Sequence, residues 1–162
     1  MVINLIGAPC TSKTLTAKRL EKELGIKHFE IDAYREQGYN NQDAWYHLMK
    51  DVAMYPKMCV VESSGISRWL DYMLNQQHIK RRGVLTIYLL GEQDVLFKRI
   101  DERERTSARE IPFEYKNLTI KGLVSAVRDK VPTIYDSYIT IDTTEASIEE
   151  VYEEVKIAIR SS

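Results

Sequence analysis

The run Gly-Ala-Pro-Cys-Thr-Ser-Lys-Thr at residues 7–14 constrains the fold of this chain more than any other feature. A short apolar run rich in β-branched residues precedes it at residues 2–6, and apolar residues recur behind it at helical spacing as far as a stop at Gly25. This order predicts a strand, a tight loop and a helix. With Lys and Thr closing the loop, the spacing is that of the phosphate-binding motif G-x-x-x-x-G-K-[ST]. Such a loop presents backbone N–H groups and a helix N-terminus to phosphate oxygens.

The motif predicts a role for each residue of this loop. Lys13 is expected to reach the β- and γ-phosphates of a nucleotide, and the Thr14 hydroxyl to ligate Mg²⁺. Ser12 departs from the motif, because it stands where a second glycine normally lets the backbone approach the phosphates. A lysine at a helix N-terminus opposes the helix dipole, which disfavours a purely structural role for Lys13. The predicted cofactor-binding residues of the loop are Gly7, Ala8, Pro9, Cys10, Thr11, Ser12, Lys13 and Thr14.

Strand and helix patterns alternate along the chain, which predicts a parallel sheet covered on both faces. Strands are expected at residues 2–6, 28–31, 58–61, 84–90 and 138–141. Helices are expected at residues 15–24, 44–53, 66–77, 93–105, within 113–131, and at 147–159. We therefore expect a single α/β domain over residues 1–162 with the P-loop NTPase fold, about five parallel strands and a short arginine-rich lid.

Composition narrows the class of protein. The formal net charge is −1, so no global positive field draws the chain to nucleic acid or to a membrane surface. No apolar stretch approaches the roughly 20 residues needed to span a bilayer. Two cysteines are too few for a disulfide framework, and the expected setting is reducing, intracellular and cytoplasmic.

Two charged residues follow the second predicted strand, at the sheet edge where parallel α/β folds bind ligands. Asp32 is suited to accept the proton of an attacking hydroxyl or to orient that hydroxyl. Arg35, three residues on, would lie on the same face of a short helix and bind a substrate phosphate bidentately. We predict both as catalytic residues, although an aspartate there also suits a helix N-cap.

Glu62 follows the third predicted strand, in the position from which a carboxylate holds Mg²⁺ through water. The predicted metal-binding residues are therefore Thr14 and Glu62, and the predicted cofactors are ATP and Mg²⁺. A hydroxyl-rich turn follows Glu62, and its serines also suit a helix N-cap.

Arginines crowd the stretch behind the fourth predicted strand. Phosphoryl transfer needs cations besides Lys13 and Mg²⁺ to balance the charge of the transition state. We predict that Arg99 and Arg103, one helical turn apart, act in catalysis and that Arg109 binds the cofactor. The acidic residues between them also fit a salt-bridged, solvated helix.

With these features in place, the chain resembles the kinase domain of phage-type polynucleotide kinases. In that family a P-loop is followed, after the second strand, by Asp-x-Tyr-Arg, which Asp32, Tyr34 and Arg35 match. Residues 95–99 are similar to the start of the family's lid region. The resemblance implies that Asp32 activates a 5′-hydroxyl and that Arg35 holds the neighbouring phosphate. Related phage kinases phosphorylate a hydroxymethylated DNA base, and a phage origin is an option that the resemblance leaves open.

The sequence therefore predicts an ATP-dependent kinase that transfers the γ-phosphate to a hydroxyl of DNA or a nucleotide, either a 5′-OH or a hydroxymethylated base. One alternative is a nucleoside or small-metabolite kinase, which the weak net charge favours because DNA binding normally needs several phosphate contacts. The other is a nucleotide-binding regulator without turnover, and Ser12 in place of the motif glycine would be its sign.

Overall fold

The computed structural model describes residues 1–104 and 119–162, in which five strands form one parallel sheet. The strands are β1 (Val2–Gly7), β2 (Lys27–Glu30), β3 (Cys59–Ser63), β4 (Val84–Leu90) and β5 (Ile139–Asp142). Their order across the sheet is β2-β3-β1-β4-β5, and every neighbouring pair is parallel. The predicted α/β fold class, with its five parallel strands, is confirmed. Since parallel strands end at the same edge of the sheet, the segments behind β1, β2 and β3 meet there.

Eight helices lie within the described residues. They are α1 (Lys13–Leu24), α2 (Ile31–Glu36), α3 (Asn41–Met54), α4 (Arg68–Leu74), α5 (Gln77–Lys80), α6 (Gln93–Glu104), α7 (Ile120–Ile134) and α8 (Ile148–Arg160). No helix of this described part has the length and apolar character that crossing a membrane requires.

The helices cover both faces of the sheet and bury a core on each. On one face, Val2 and Ile6 of β1 pack with apolar residues of α3, α4, α6 and α7. On the other face, Ile3 and Leu5 pack with apolar residues of α1 and α8. Successive side chains of a strand point to opposite faces, so a strand between two helical layers must be apolar at nearly every position. This is why the central strands read as continuous apolar runs.

Two predicted boundaries differ from the structure in ways that matter for function. Strand β3 continues to Ser63, so Glu62 lies inside the strand rather than behind it. The helix expected at 66–77 is two helices, α4 and α5. The Ser67 side chain accepts a hydrogen bond from the backbone N–H of Trp69 and so caps α4, while the Asn75 side chain donates to the Asp71 carbonyl where α4 ends. Hydroxyl and amide side chains at helix ends compete with the helical hydrogen-bond ladder.

Candidate active site

Strand β1 ends at a glycine that no larger residue can replace, and the loop behind it contains two residues in the left-handed backbone region. A Cβ atom on Gly7 would lie 2.5 Å from the Leu89 carbonyl oxygen, so no larger residue fits there. Cys10 and Ser12 have φ values of 65° and 66°. For a residue with a side chain, this region costs about 1–2 kcal/mol. The structure thus explains the glycine usual at the position of Ser12, since the turn itself needs a positive φ.

The loop leads into the N-terminus of α1. Among the described residues, no side chain caps this end of the helix. The first N–H groups of an α-helix have no partner within the helix, and they carry the positive end of its dipole. An anion held by the loop would satisfy them, as phosphate does at the helix N-termini where it binds.

Lys13 places a half-buried cation inside the loop. Its ammonium group donates to the Ala8 carbonyl at 2.7 Å. Burial lowers the pKa of Lys13 because it penalises the charged form, whereas the negative charges of Glu62 and Asp32 act in the opposite direction. A phosphate would supply the same compensation from within the loop.

A buried hydrogen-bonded chain connects β2, β3 and α1. The Thr14 hydroxyl donates to Glu62 Oε1 at 2.7 Å, and His28 Nε2 lies 3.0 Å from Glu62 Oε2. Burial alone would raise the pKa of Glu62. The hydrogen bond with His28, the charge of Lys13 and the hydrogen bond from Thr14 outweigh burial and hold that pKa below its ordinary value. Thr14 and Glu62, which were predicted to share a metal ion, are therefore direct neighbours.

Asp32 and Arg35 form an ion pair on α2. Arg35 Nη1 donates to Asp32 Oδ1 at 2.8 Å, with side-chain exposures of 16% for Arg35 and 32% for Asp32. The rest of the guanidinium is also engaged, because Nη2 and Nε donate to Asn41 Oδ1 at 2.6 Å and 3.2 Å. Asp32 lies in the first turn of α2, where its charge suits the helix dipole as well as a reacting hydroxyl.

These groups line a common cavity of about 590 Å³ at the carboxyl edge of the sheet. That volume lies within the range of roughly 300–1,000 Å³ usual for small-molecule sites. The predicted site residues that line it are Gly7, Pro9, Cys10, Thr11, Ser12, Lys13, Thr14, Asp32, Arg35, Glu62 and Arg103.

Arg99 is placed differently from Arg103, its neighbour one helical turn along α6. Its guanidinium donates to the carbonyls of Thr143 and Thr144 at 3.0 and 2.9 Å, and to the Cys10 carbonyl at 3.4 Å. These bonds connect the loop behind β1 with the segment behind β5. Arg99 is not among the described residues that line the cavity. The same holds for Ala8, whose carbonyl instead accepts from Lys13 and Thr11. The predicted cofactor-binding residue Arg109 lies outside the described residues.

Sequence reasoning missed several residues of this site. Lys18, Glu30, Glu36 and Trp45 line the cavity, and His28 contacts Glu62 behind it. A signal for Glu30 was present, since alternation along β2 puts it on the same face as His28, and in the sheet Glu30 pairs with Glu62. That pairing, however, requires the register of β2 against β3.

The left-handed conformation of Ser12 gives a stability prediction. We expect Ser12→Gly to raise the free energy of unfolding by about 0.5–1 kcal/mol, because relief of the strained φ exceeds the extra entropy of glycine in the unfolded chain. Urea unfolding monitored by circular dichroism measures it. Ser12→Ala is the control, since it removes the hydroxyl but retains the Cβ and so the strain. Equal stability of the glycine and alanine variants would contradict the conformational explanation.

Comparisons with known proteins show the fold and no more. No protein-family profile and no curated protein sequence matches the chain. Among solved structures, the chain is similar to the YorR protein of Bacillus subtilis in complex with phosphorylated GDP, with 18% identity, a TM-score of 0.67 and coverage of 99% of this chain and 96% of the other. It is also similar to shikimate kinase from Acinetobacter baumannii in complex with shikimate, with 13% identity, a TM-score of 0.67 and coverage of 99% of this chain and 93% of the other. A gluconokinase from Sinorhizobium meliloti is a further match, with 15% identity, a TM-score of 0.64 and coverage of 99% of this chain and 91% of the other. The chain therefore has the fold of P-loop kinases.

Proposed function

We propose that this protein is an ATP-dependent kinase that phosphorylates a hydroxyl group of a small metabolite. The observation that carries the proposal is the cavity that joins the phosphate loop, with Lys13 and Thr14, to the carboxylate of Asp32. One half of such a site suits a nucleotide triphosphate, and the other offers a base to a hydroxyl. The kinase fold of the solved structures described above supports the same reaction class.

Each residue has a distinct part in the proposed transfer. The loop amides and Lys13 bind the β- and γ-phosphates and balance their charge. Asp32 orients the acceptor hydroxyl. The acceptor oxygen forms a bond to the γ-phosphorus, while the bond from that phosphorus to the β–γ bridging oxygen breaks. The hydroxyl proton passes to the Asp32 carboxylate, and ADP is the leaving group. Arg103, on the cavity wall, adds a further positive charge.

The donor set of the loop suits the Mg²⁺ that accompanies ATP. Mg²⁺ prefers oxygen ligands and is usually bound through one or two carboxylates, substrate phosphates and waters. Thr14 and Glu62 supply a hydroxyl and a carboxylate in direct contact, and the reduced pKa of Glu62 keeps that carboxylate charged. When bound, Mg²⁺ would neutralise phosphate charge as the bond to the leaving group breaks.

The acceptor end of the cavity favours a small molecule over DNA or a nucleotide. Among the residues that the structure describes, four cationic and four acidic side chains line the cavity: Lys13, Lys18, Arg35 and Arg103, and Glu30, Asp32, Glu36 and Glu62. On α2, at the acceptor end, Arg35 pairs with the carboxylate of Asp32, and a second carboxylate, Glu36, follows it in the sequence. Binding a nucleic acid requires a row of cations along its phosphates, and the net charge of the chain is −1. The shikimate kinase and the gluconokinase, similar in fold, are small-metabolite kinases by name.

An acceptor screen tests this proposal. We expect ADP release above background with at least one small hydroxylated compound from a panel of polyols, sugars, hydroxy acids and nucleosides. Oligonucleotides with a 5′-OH and duplexes with hydroxymethylated bases should give none. Coupled ADP detection followed by mass spectrometry of the product measures the transfer. Transfer to an oligonucleotide alone would contradict the small-molecule acceptor, and tight ATP binding without transfer to any acceptor would favour a non-catalytic regulator.

A further inference from the structure

We infer that His28 is a positioning residue for the magnesium-binding carboxylate of Glu62. The inference rests on the proposed function, which gives Glu62 its role toward Mg²⁺. It concerns a residue that does not line the nucleotide cavity in the described part of the chain and must therefore act through Glu62.

The geometry fixes the Glu62 carboxylate from both sides. Thr14 donates to Oε1 at 2.7 Å, and His28 lies on Oε2 at 3.0 Å. With one partner on each oxygen, the carboxylate cannot rotate about its terminal bond without losing a hydrogen bond. The side chains of His28 and Glu62 are only 5% and 7% exposed, so water cannot readily replace His28 as the partner of Oε2.

The pairing of the two strands places His28 where it can reach Glu62. Across the β2–β3 ladder, Glu30 pairs with Glu62 and His28 pairs with Val60. His28 therefore lies two residues before the direct neighbour of Glu62 and on the same face of β2. The ring spans that offset along the strand, and the long imidazole side chain, unlike serine or asparagine, is suited to the distance.

The chemistry assigns the donor. An ionised carboxylate only accepts hydrogen bonds, so the proton between the two side chains must be on His28 Nε2. The hydrogen bond from His28 is the largest of the effects that oppose burial and hold the pKa of Glu62 low. A partner of this kind fixes a metal-binding side chain and maintains its charge, and loss of such partners typically costs about 10–100-fold in metal affinity.

Three substitutions separate positioning from a purely structural role. His28→Leu removes the donor, His28→Gln retains an N–H near the position of Nε2, and His78→Leu makes the same change at an exposed histidine. The measurement is binding of a fluorescent ATP analogue at a series of Mg²⁺ concentrations, which requires no turnover. For His28→Leu we expect the half-saturating Mg²⁺ concentration to rise about 10–100-fold. The affinity of His28→Leu for the ATP analogue in the absence of Mg²⁺ should equal that of the wild type. The His28→Gln variant should have a half-saturating Mg²⁺ concentration close to that of the wild type, and His78→Leu should match the wild type.

A second measurement uses the metal-free wild-type protein. Nitrogen-15 NMR of the imidazole should show the proton of His28 on Nε2. A proton on Nδ1 alone would overturn the inference, and so would an unchanged Mg²⁺ dependence in His28→Leu. The ligand atoms of His28, Glu30 and Glu62 lie within 4.8 Å of one another, so His28 could also bind a metal directly. Electron paramagnetic resonance of bound Mn²⁺ tests this alternative. Coupling of the metal to an imidazole nitrogen would make His28 a direct ligand and would overturn the inference. If the nucleotide affinity of the wild type did not depend on the Mg²⁺ concentration, the magnesium site of the proposed function would be refuted, and the inference with it.

Discussion

Lys13→Ala is expected to slow phosphoryl transfer by about 100-fold or more. The substitution removes the ammonium group of the loop, so the charge that develops on the transferring phosphoryl group loses the cation that the loop supplies. Losses of about two to three orders of magnitude are typical when one such electrostatic group is removed from an active site. The measurement is single-turnover transfer from ATP to the acceptor identified by the screen.

The same helix provides a matched control. Lys22 is exposed on α1 and lies away from the cavity, so Lys22→Ala should transfer phosphate at the wild-type rate. Urea unfolding of both variants establishes that any loss arises in a folded protein. If Lys13→Ala turned over like the wild type, the residues at 7–14 would not be a nucleotide site, whatever their spacing.

The sequence supports the fold well because the signals for it are local. Alternation of strand and helix patterns predicts the layers, and apolar runs such as 84–90 predict strands that are buried on both faces. Where the prediction of a single helix at 66–77 failed, the deciding contact was a side chain bonded to nearby backbone. The amphipathic pattern at 66–77 continues through Asn75, but the Asn75 amide bonds the Asp71 carbonyl and α4 ends there.

The sequence predicts those residues of the site that lie at the carboxyl edge of the parallel sheet. Thr14 and Glu62 are 48 positions apart, yet the rule that ligands bind beyond the carboxyl ends of parallel strands brings them together, and their hydrogen bond agrees with it. The role of His28 depends on the register between β2 and β3, which no local pattern reveals. Ser12 looked like a change of side chain, whereas the structure shows that its backbone conformation is the strained feature.

The contacts of Arg99 also depend on a distant part of the chain and could not be predicted from local sequence. The spacing between Arg99 and Arg103 suggested two cations on one helix face. In the structure, however, Arg99 donates hydrogen bonds to the backbone carbonyls of Thr143 and Thr144, which lie in a distant part of the sequence. A guanidinium that donates to three carbonyls is suited to hold loops in place. We therefore propose that Arg99 supports the loop behind β1 and that Arg103 is the arginine of the pair that faces the phosphates.

Asp32→Asn is expected to lower the rate of transfer by about 10²–10⁴-fold, with nucleotide affinity nearly unchanged. An asparagine has the same shape and can still accept the hydrogen bond from Arg35 and suit the first turn of α2. It cannot take the proton of the acceptor hydroxyl, and general bases typically contribute a factor of this size. The measurements are the single-turnover rate at saturating acceptor and the affinity for a fluorescent ATP analogue.

Glu36→Gln separates the loss of a base from the loss of a charge. Glu36 lies four residues beyond Asp32, on the same short helix, and it also lines the cavity. Its substitution removes the same unit of negative charge while leaving the Asp32 carboxylate intact, so we expect at most a few-fold change in rate. Equal losses in the two variants would indicate that the net charge of α2 matters rather than proton transfer at Asp32. An Asp32→Asn protein that transfers phosphate at the original rate would leave Asp32 with a structural role only, in the first turn of α2 and paired with Arg35. The base would then have to be sought among Glu30 and Glu62, which also line the cavity.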